Sequence, residues 1–328
     1  MSNTIHIYNG GSFSPVTLAH QQMCIDTIKA MQKHFLETTK TKIIMWITPV
    51  PDVYPKETVK PACISYDARR AMLEIMISNV QKTFDYTFEG KTYELEIKLN
   101  DIEMIVSHEP NKEGSGENGF VGTYMYVSEF AKRNSINPND VYLLYGLDNG
   151  KNMFRIDDGR WKSPIHLISK FKFLIYPRSG SSIDYSEFIK LYSSNIVTFN
   201  PATNPKHIDI NLETNTHDLD DLKTELYTFY LDPLAFMKDH FVEVVSPTTT
   251  GEDGISFAET SSSNIRKVLY YYADFRIKSE IISEQLKMID PQILAFIQEN
   301  GLYTNGLVCE GEKKYLQITS EIPPEWKE

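Results

Sequence analysis

Within the run IHIYNGGSFSPVTLAHQQM at residues 5–23, Gly10, Gly11, Ser12, Ser14, Pro15, Thr17 and His20 lie close together. Glycines let a backbone come near a phosphate, hydroxyls add donors, Pro15 stiffens the turn, and His20 brings a polar ring to the start of the helix that follows. These residues suit a phosphate-bearing ligand. An ordinary Gly-rich turn with a solvated histidine has the same composition, so the run alone leaves both readings open. Its spacing is neither G-x-G-x-x-G nor G-x-x-x-x-G-K-[ST], which argues against a dehydrogenase and against a P-loop NTPase. A second stretch of this kind is TSSSNIRKVL at 260–269, where Ser262 and Ser263 precede Arg266 at the head of a helical pattern. By default such serines cap a helix and an arginine there is solvated. Lys56, Asp148, Trp161 and Arg178 also have ordinary roles open to them: a polar loop, a turn, the core and a surface ion pair.

The elements that must position these groups alternate between strand and helix. Short runs rich in Ile, Val, Leu, Tyr and Phe at 5–10, 42–48, 140–146, 172–177, 195–200 and 241–245 predict strands, several of them apolar on both faces. Cys24, Ile28, Met31 and Phe35 recur at helical spacing after the first strand, and Met72, Ile75, Met76 and Val80 after the second. This order predicts an α/β fold with a doubly wound parallel sheet. A C-terminal helical part follows. In it, Ile265, Val268, Leu269 and Tyr272 share one face, and a last helix starts with Asp290 as N-cap and Pro291 at its first position, with Ile293, Phe296 and Ile297 turned inward. The polar segments 107–120 and 201–240 interrupt the alternation and predict surface insertions in a single domain spanning 1–328.

With 328 residues, 41% of them hydrophobic, the chain is long enough to bury a sizeable core. A net charge of −11 opposes general affinity for nucleic-acid backbones. Neither a membrane-spanning apolar run nor a signal-peptide pattern is present, so an intracellular, soluble protein, cytoplasmic or nuclear, is expected. Cys24, Cys63 and Cys309 are odd in number and far apart, and are read as ordinary thiols.

The stretch GGSFSPVTLAH resembles the first signature of the nucleotidylyltransferase superfamily, and TSSSNIRKVL resembles its second, about 240 residues further on. ITPVPDVYPKE, LLYGLDN, RWKSP, FLIYPRSG and IDPQILAFIQENGLY narrow the resemblance to nicotinamide/nicotinate mononucleotide adenylyltransferases, over residues 5 to about 303. The resemblance implies a Rossmann-like fold and joining of ATP to a pyridine mononucleotide, giving the dinucleotide and pyrophosphate. The attack is direct and in line, with Mg²⁺ carried by ATP. It also implies site residues. Gly11, Ser12, Phe13, Thr17, His20, Gly146, Asp148, Arg178, Ser262, Ser263 and Arg266 would bind ATP; Ser12, Phe13, Lys56, Thr123, Tyr124 and Trp161 would bind the mononucleotide. His20, Lys56 and Arg266 would be the catalytic group of donors and cations.

Some positions depart from the family pattern. Thr17 stands where many relatives carry the first histidine of H-x-G-H, Thr260 and Ser263 vary the second signature, and Met125 replaces a threonine near the pyridine substituent. Asn149 follows Asp148 where relatives carry an apolar residue. Another small-substrate nucleotidylyltransferase of the pantetheine-phosphate type, or a nucleotide-binding sensor without turnover, are the alternatives. Homo-oligomerisation and the choice of amide or acid substrate are left open.

Overall fold

The computed structural model describes residues 3–37, 40–54, 64–84, 87–88, 90–109, 122–154, 164–177, 182–195, 227–244, 257, 260, 262–271 and 279–303. Lys56, Trp161 and Arg178 fall outside these residues, as do Cys63, Cys309, Tyr272, most of the strand expected at 195–200 and most of both polar segments.

The six-stranded main sheet comprises β1 (Thr4–Gly11), β2 (Lys42–Pro49), β5 (Glu94–Leu99), β6 (Val141–Gly146), β7 (Lys172–Tyr176) and β8 (Phe241–Glu243), ordered β5-β2-β1-β6-β7-β8. All its pairings are parallel. A small antiparallel pair, β3 (Thr87–Phe88) with β4 (Lys91–Thr92), stands apart. The helices are α1 (Leu18–Glu37), α2 (Tyr66–Lys82), α3 (Ile102–Ser107), α4 (Thr123–Arg133), α5 (Leu147–Met153), α6 (Pro164–Lys170), α7 (Tyr185–Asn195), α8 (Pro233–His240), α9 (Ser262–Tyr271), α10 (Ser279–Leu286) and α11 (Pro291–Glu299). The chain first winds outward from β1 to β5, then restarts beside β1 at β6 and winds the other way. The doubly wound α/β sheet is therefore present, and its strand order reverses between β1 and β6.

Two-residue periodicity divides the sheet between two cores. Ile5, Ile7, Ile43, Met45, Ile47, Leu144 and Leu174 face one side, where Cys24 and Ile28 of α1, Met72 and Met76 of α2 and Ile293 and Ile297 of α11 cover them. Tyr8, Leu143, Tyr145, Phe173 and Ile175 face the other, against Val127 and Phe130 of α4, Phe188 of α7 and Phe236 of α8. All of β6 is buried, as a central parallel strand requires.

Two features depart from the sequence reading. The edge strand β5 was absent from it: Leu95 and Ile97 point inward between exposed or half-exposed Glu94, Glu96 and Lys98, a pattern too polar to read as a parallel strand. Lys42 of β2 bridges to both Glu94 and Glu96 there. Secondly, the end of the 201–240 segment is not a surface excursion, because Phe229, Phe236 and Met237 are buried in the second core beside β8. Their apolar spacing was masked in the sequence by the acidic run before them.

The C-terminal helices lie over the start of α1. Asp290 caps α11 by accepting from the Gln292 N–H at 2.8 Å, with Pro291 at the first helical position, and it also accepts from Asn79 of α2 at 3.0 Å. The Met288 carbonyl, just ahead, accepts the unpaired Leu18 N–H of α1 at 2.8 Å.

Candidate active site

At the carboxyl ends of β1 and β6, where the strand order reverses, a cavity of about 390 Å³ opens. Its walls come from 9–14 at the end of β1 and in the turn after it, the first turns of α1, Leu144 to Gly146 of β6, Tyr176 of β7 and the start of α9. Open parallel sheets bind ligands at this place, because the strands diverge there and helices begin with unpaired N–H groups directed inward. Of the expected residues, Gly11, Ser12, Phe13, Thr17, His20, Gly146, Ser262, Ser263 and Arg266 line it together.

The turn after β1 is tightly folded. Phe13 takes φ 48°, uncommon for a non-glycine residue, and its buried ring lies edge-on to His20 with centroids 5.3 Å apart. A Cβ on Gly11 would sit 3.1 Å from that ring, so glycine makes room for it. The Ser14–Pro15 peptide is cis, and the Ser14 Oγ lies 3.0 Å from the Tyr303 hydroxyl just beyond α11.

Thr17 has a role that its expected phosphate contact did not include. Its N–H donates to His20 Nδ1 at 3.1 Å and its Oγ1 lies 2.8 Å from the same nitrogen. A backbone N–H only donates, so Nδ1 accepts and the neutral ring carries its proton on Nε2. Thr17 thereby sets the histidine's tautomer.

Arg266 reaches the cavity from α9. It is buried, donates from Nη1 to the Ser14 carbonyl, and donates from Nη2 to Ser263 Oγ at 3.1 Å. Ser262 Oγ donates to the Pro15 carbonyl at 3.2 Å. Both signature stretches, distant in sequence, are thus joined by hydrogen bonds across one cavity.

Other expected residues lie elsewhere. Asp148 is exposed and does not line the cavity, whereas its neighbour Asn149 does. Thr123 does not line the cavity but hydrogen-bonds the Tyr145 hydroxyl, near Tyr54 and Glu103. Tyr124 packs against His166, with ring centroids 5.6 Å apart, and lies under the Lys170 ammonium.

Sequence reasoning passed over several wall residues. Asn9, Met23, Tyr176 and Phe257 line the cavity, as does Thr260 of the second stretch. Tyr176 closes a strand at its carboxyl end, a position that could have marked it; its hydroxyl donates to Asp26 of α1 at 2.9 Å. Glu103 was assigned no role from the sequence. It is buried, accepts from the Tyr8 hydroxyl at 2.7 Å, and burial lifts its carboxyl to about 8. Its Oε1 lies 3.4 Å from where a Cβ on Gly10 would stand, directly behind the glycine turn.

No family model matches the sequence, and no curated protein matches it. The solved structures similar to the chain include two of Plasmodium falciparum nicotinic acid mononucleotide adenylyltransferase, complexed with APC in one and with NaAD in the other. Each is 18% identical over 92% of this chain, covering 96% and 97% of the respective structures, with TM-scores of 0.46 and 0.47. No helix among the described residues is long and apolar enough to cross a membrane.

Proposed function

We propose that the chain is an adenylyltransferase that joins ATP to nicotinamide or nicotinate mononucleotide, releasing pyrophosphate and forming the dinucleotide. The observation that carries this reading is the convergence of His20, Ser262, Ser263 and Arg266 on one cavity at the point where the sheet reverses, reached from both signature stretches. Two anions must meet there. Nothing covalent need form on the protein, so catalysis reduces to holding the phosphates in line and offsetting their mutual repulsion. The Nε2–H of His20 is a donor for charge developing at the α-phosphorus, and Arg266 a cation for the leaving pyrophosphate. Lys56 is proposed to act at the reacting phosphates, Arg178 at ATP phosphate, and Trp161, Thr123 and Tyr124 on the pyridine side.

Among the described residues no three His, Cys, Asp or Glu side chains group as metal ligands. A cavity that offers hydroxyls and a guanidinium fits Mg²⁺ bound chiefly by the nucleotide's phosphates and water. When bound, the ion neutralises phosphate charge.

Incubation with ATP, Mg²⁺ and nicotinamide mononucleotide, followed for pyrophosphate and NAD, tests the reading. Stoichiometric formation of both, abolished by a chelator, is expected. ATP binding without product would favour the sensor alternative, and product only with phosphopantetheine would favour the pantetheine-phosphate type.

A further inference from the structure

Arg69, on α2, is 0% exposed. Its Nη1 donates to the Ser12 carbonyl at 3.2 Å and to the Val50 carbonyl at 2.9 Å, while Nε and Nη2 are buried with no hydrogen-bond partner. The Tyr66 ring lies 5.3 Å from its Cζ; among the described residues no carboxylate reaches it at ion-pair distance, and Asp52 and Glu103 favour its charge only from further off. A buried cation held by two carbonyls and an aromatic face is costly, and an apolar side chain of similar length would fill the space at lower cost. Stability therefore does not account for it.

The two carbonyls do. Ser12 belongs to the turn after β1 and Val50 to the segment after β2, and the Val50 N–H in turn donates to the Gly11 carbonyl at 3.0 Å. Trans peptides point C=O and N–H in opposite directions. With the Gly11 and Ser12 carbonyls both drawn toward β2 and α2, the Ser12 and Phe13 N–H groups turn the other way. β6 flanks β1 on that side, and the cavity opens there.

We propose that Arg69 is a positioning residue for an anion-binding turn: it sets the Ser12 carbonyl, and with Val50 the Gly11 carbonyl, so that the Ser12 and Phe13 N–H groups face the nucleotide's phosphates. This rests on the nucleotide reading above. The helix spacing of Arg69 gave no sign of it, since an arginine there reads as a solvated residue.

The test is calorimetric titration of MgATP into the parent, Arg69→Met and Arg69→Lys, with folding followed by circular dichroism and dinucleotide synthesis assayed alongside. Arg69→Met should stay folded, bind at unchanged stoichiometry and show a Kd for ATP raised by about tenfold or more. Arg69→Lys, whose ammonium can still reach a carbonyl, should recover part of that loss but not all. A folded Arg69→Met with the parent's Kd overturns the proposal. If that variant does not fold, an unchanged Kd in Arg69→Lys overturns it instead. Loss of stoichiometry at constant Kd would mark mere support of the fold and also overturns it. A parent that binds ATP but makes no dinucleotide refutes the adenylyltransferase reading alone, because the Arg69 comparison is still read in Kd; a parent that binds no ATP refutes both.

Discussion

His20 and Glu103 show how much of the site is decided by partners on neighbouring atoms. Because Nδ1 accepts from the Thr17 N–H, the neutral His20 ring carries its proton on Nε2, the donor that the proposed role uses. Replacing His20 by alanine should leave the fold intact and lower turnover about 10²- to 10³-fold, the usual cost of one preorganised donor; kcat on a variant with parental circular dichroism is the measurement. Glu103 makes a prediction about pH. Its folded pKa of about 8 lies above the ordinary carboxyl value of 4.5, so the folded state holds a proton that the unfolded chain releases. Between those values stability falls as pH rises, and it levels off above the upper one. A glutamine in its place would stay neutral and still accept from Tyr8, so Glu103→Gln should gain stability relative to the parent progressively from pH 5 to pH 8. Parallel denaturation midpoints for the two proteins across that range would refute the assignment. The first signature was legible because glycines, hydroxyls and a histidine cluster in sequence. Arg69 and Glu103 were not, because their meaning comes from burial against a turn far away in the chain.

Among the elements, the strands with continuous apolar runs were read directly from sequence, and so was α11 with its Asp-Pro start. β5 and the helix-bearing end of 201–240 were not, since charged residues on their outer faces or just before them hid a two-residue alternation and a few aromatic anchors. The charges on β5 have a use. An open sheet edge invites pairing with other chains, and Glu94, Glu96 and Lys98 discourage it. The cap on α11 can be weighed. Asp290→Ala removes the acceptor for Gln292 and for Asn79 and should cost about 0.5–2 kcal/mol in a urea melt. A change below the error of the melt would show that Pro291 and the Ile293 and Ile297 contacts hold the helix start without it.

For the molecule as a whole, the two-way winding creates the cavity, and substrate choice belongs to what surrounds it. Separating an amide from an acid on the pyridine requires a cation or donors that sense one charge. Tyr124 is aromatic and Met125 packs with the second core, so neither senses that charge. We expect the nicotinamide and nicotinate mononucleotides to differ in kcat/KM by no more than roughly tenfold, about 1.4 kcal/mol. A preference beyond a hundredfold at saturating ATP would reveal a charge-sensing group, and the Lys170 ammonium beside Tyr124 would be the first to test.

The bonds that close the glycine turn span the chain: Arg266 meets Ser14 across 252 residues and Tyr303 meets it across 289. During synthesis the turn is made early and its partners late, roughly a quarter of a minute to a minute apart at ordinary translation speeds. Until then the growing chain carries the glycine turn without the bonds from Arg266 and Tyr303 that hold it. On the proposed function, capture of ATP would thus report that synthesis has passed Tyr303, and a ribosome stalled before Arg266 would expose a product that nucleotide cannot protect from proteases.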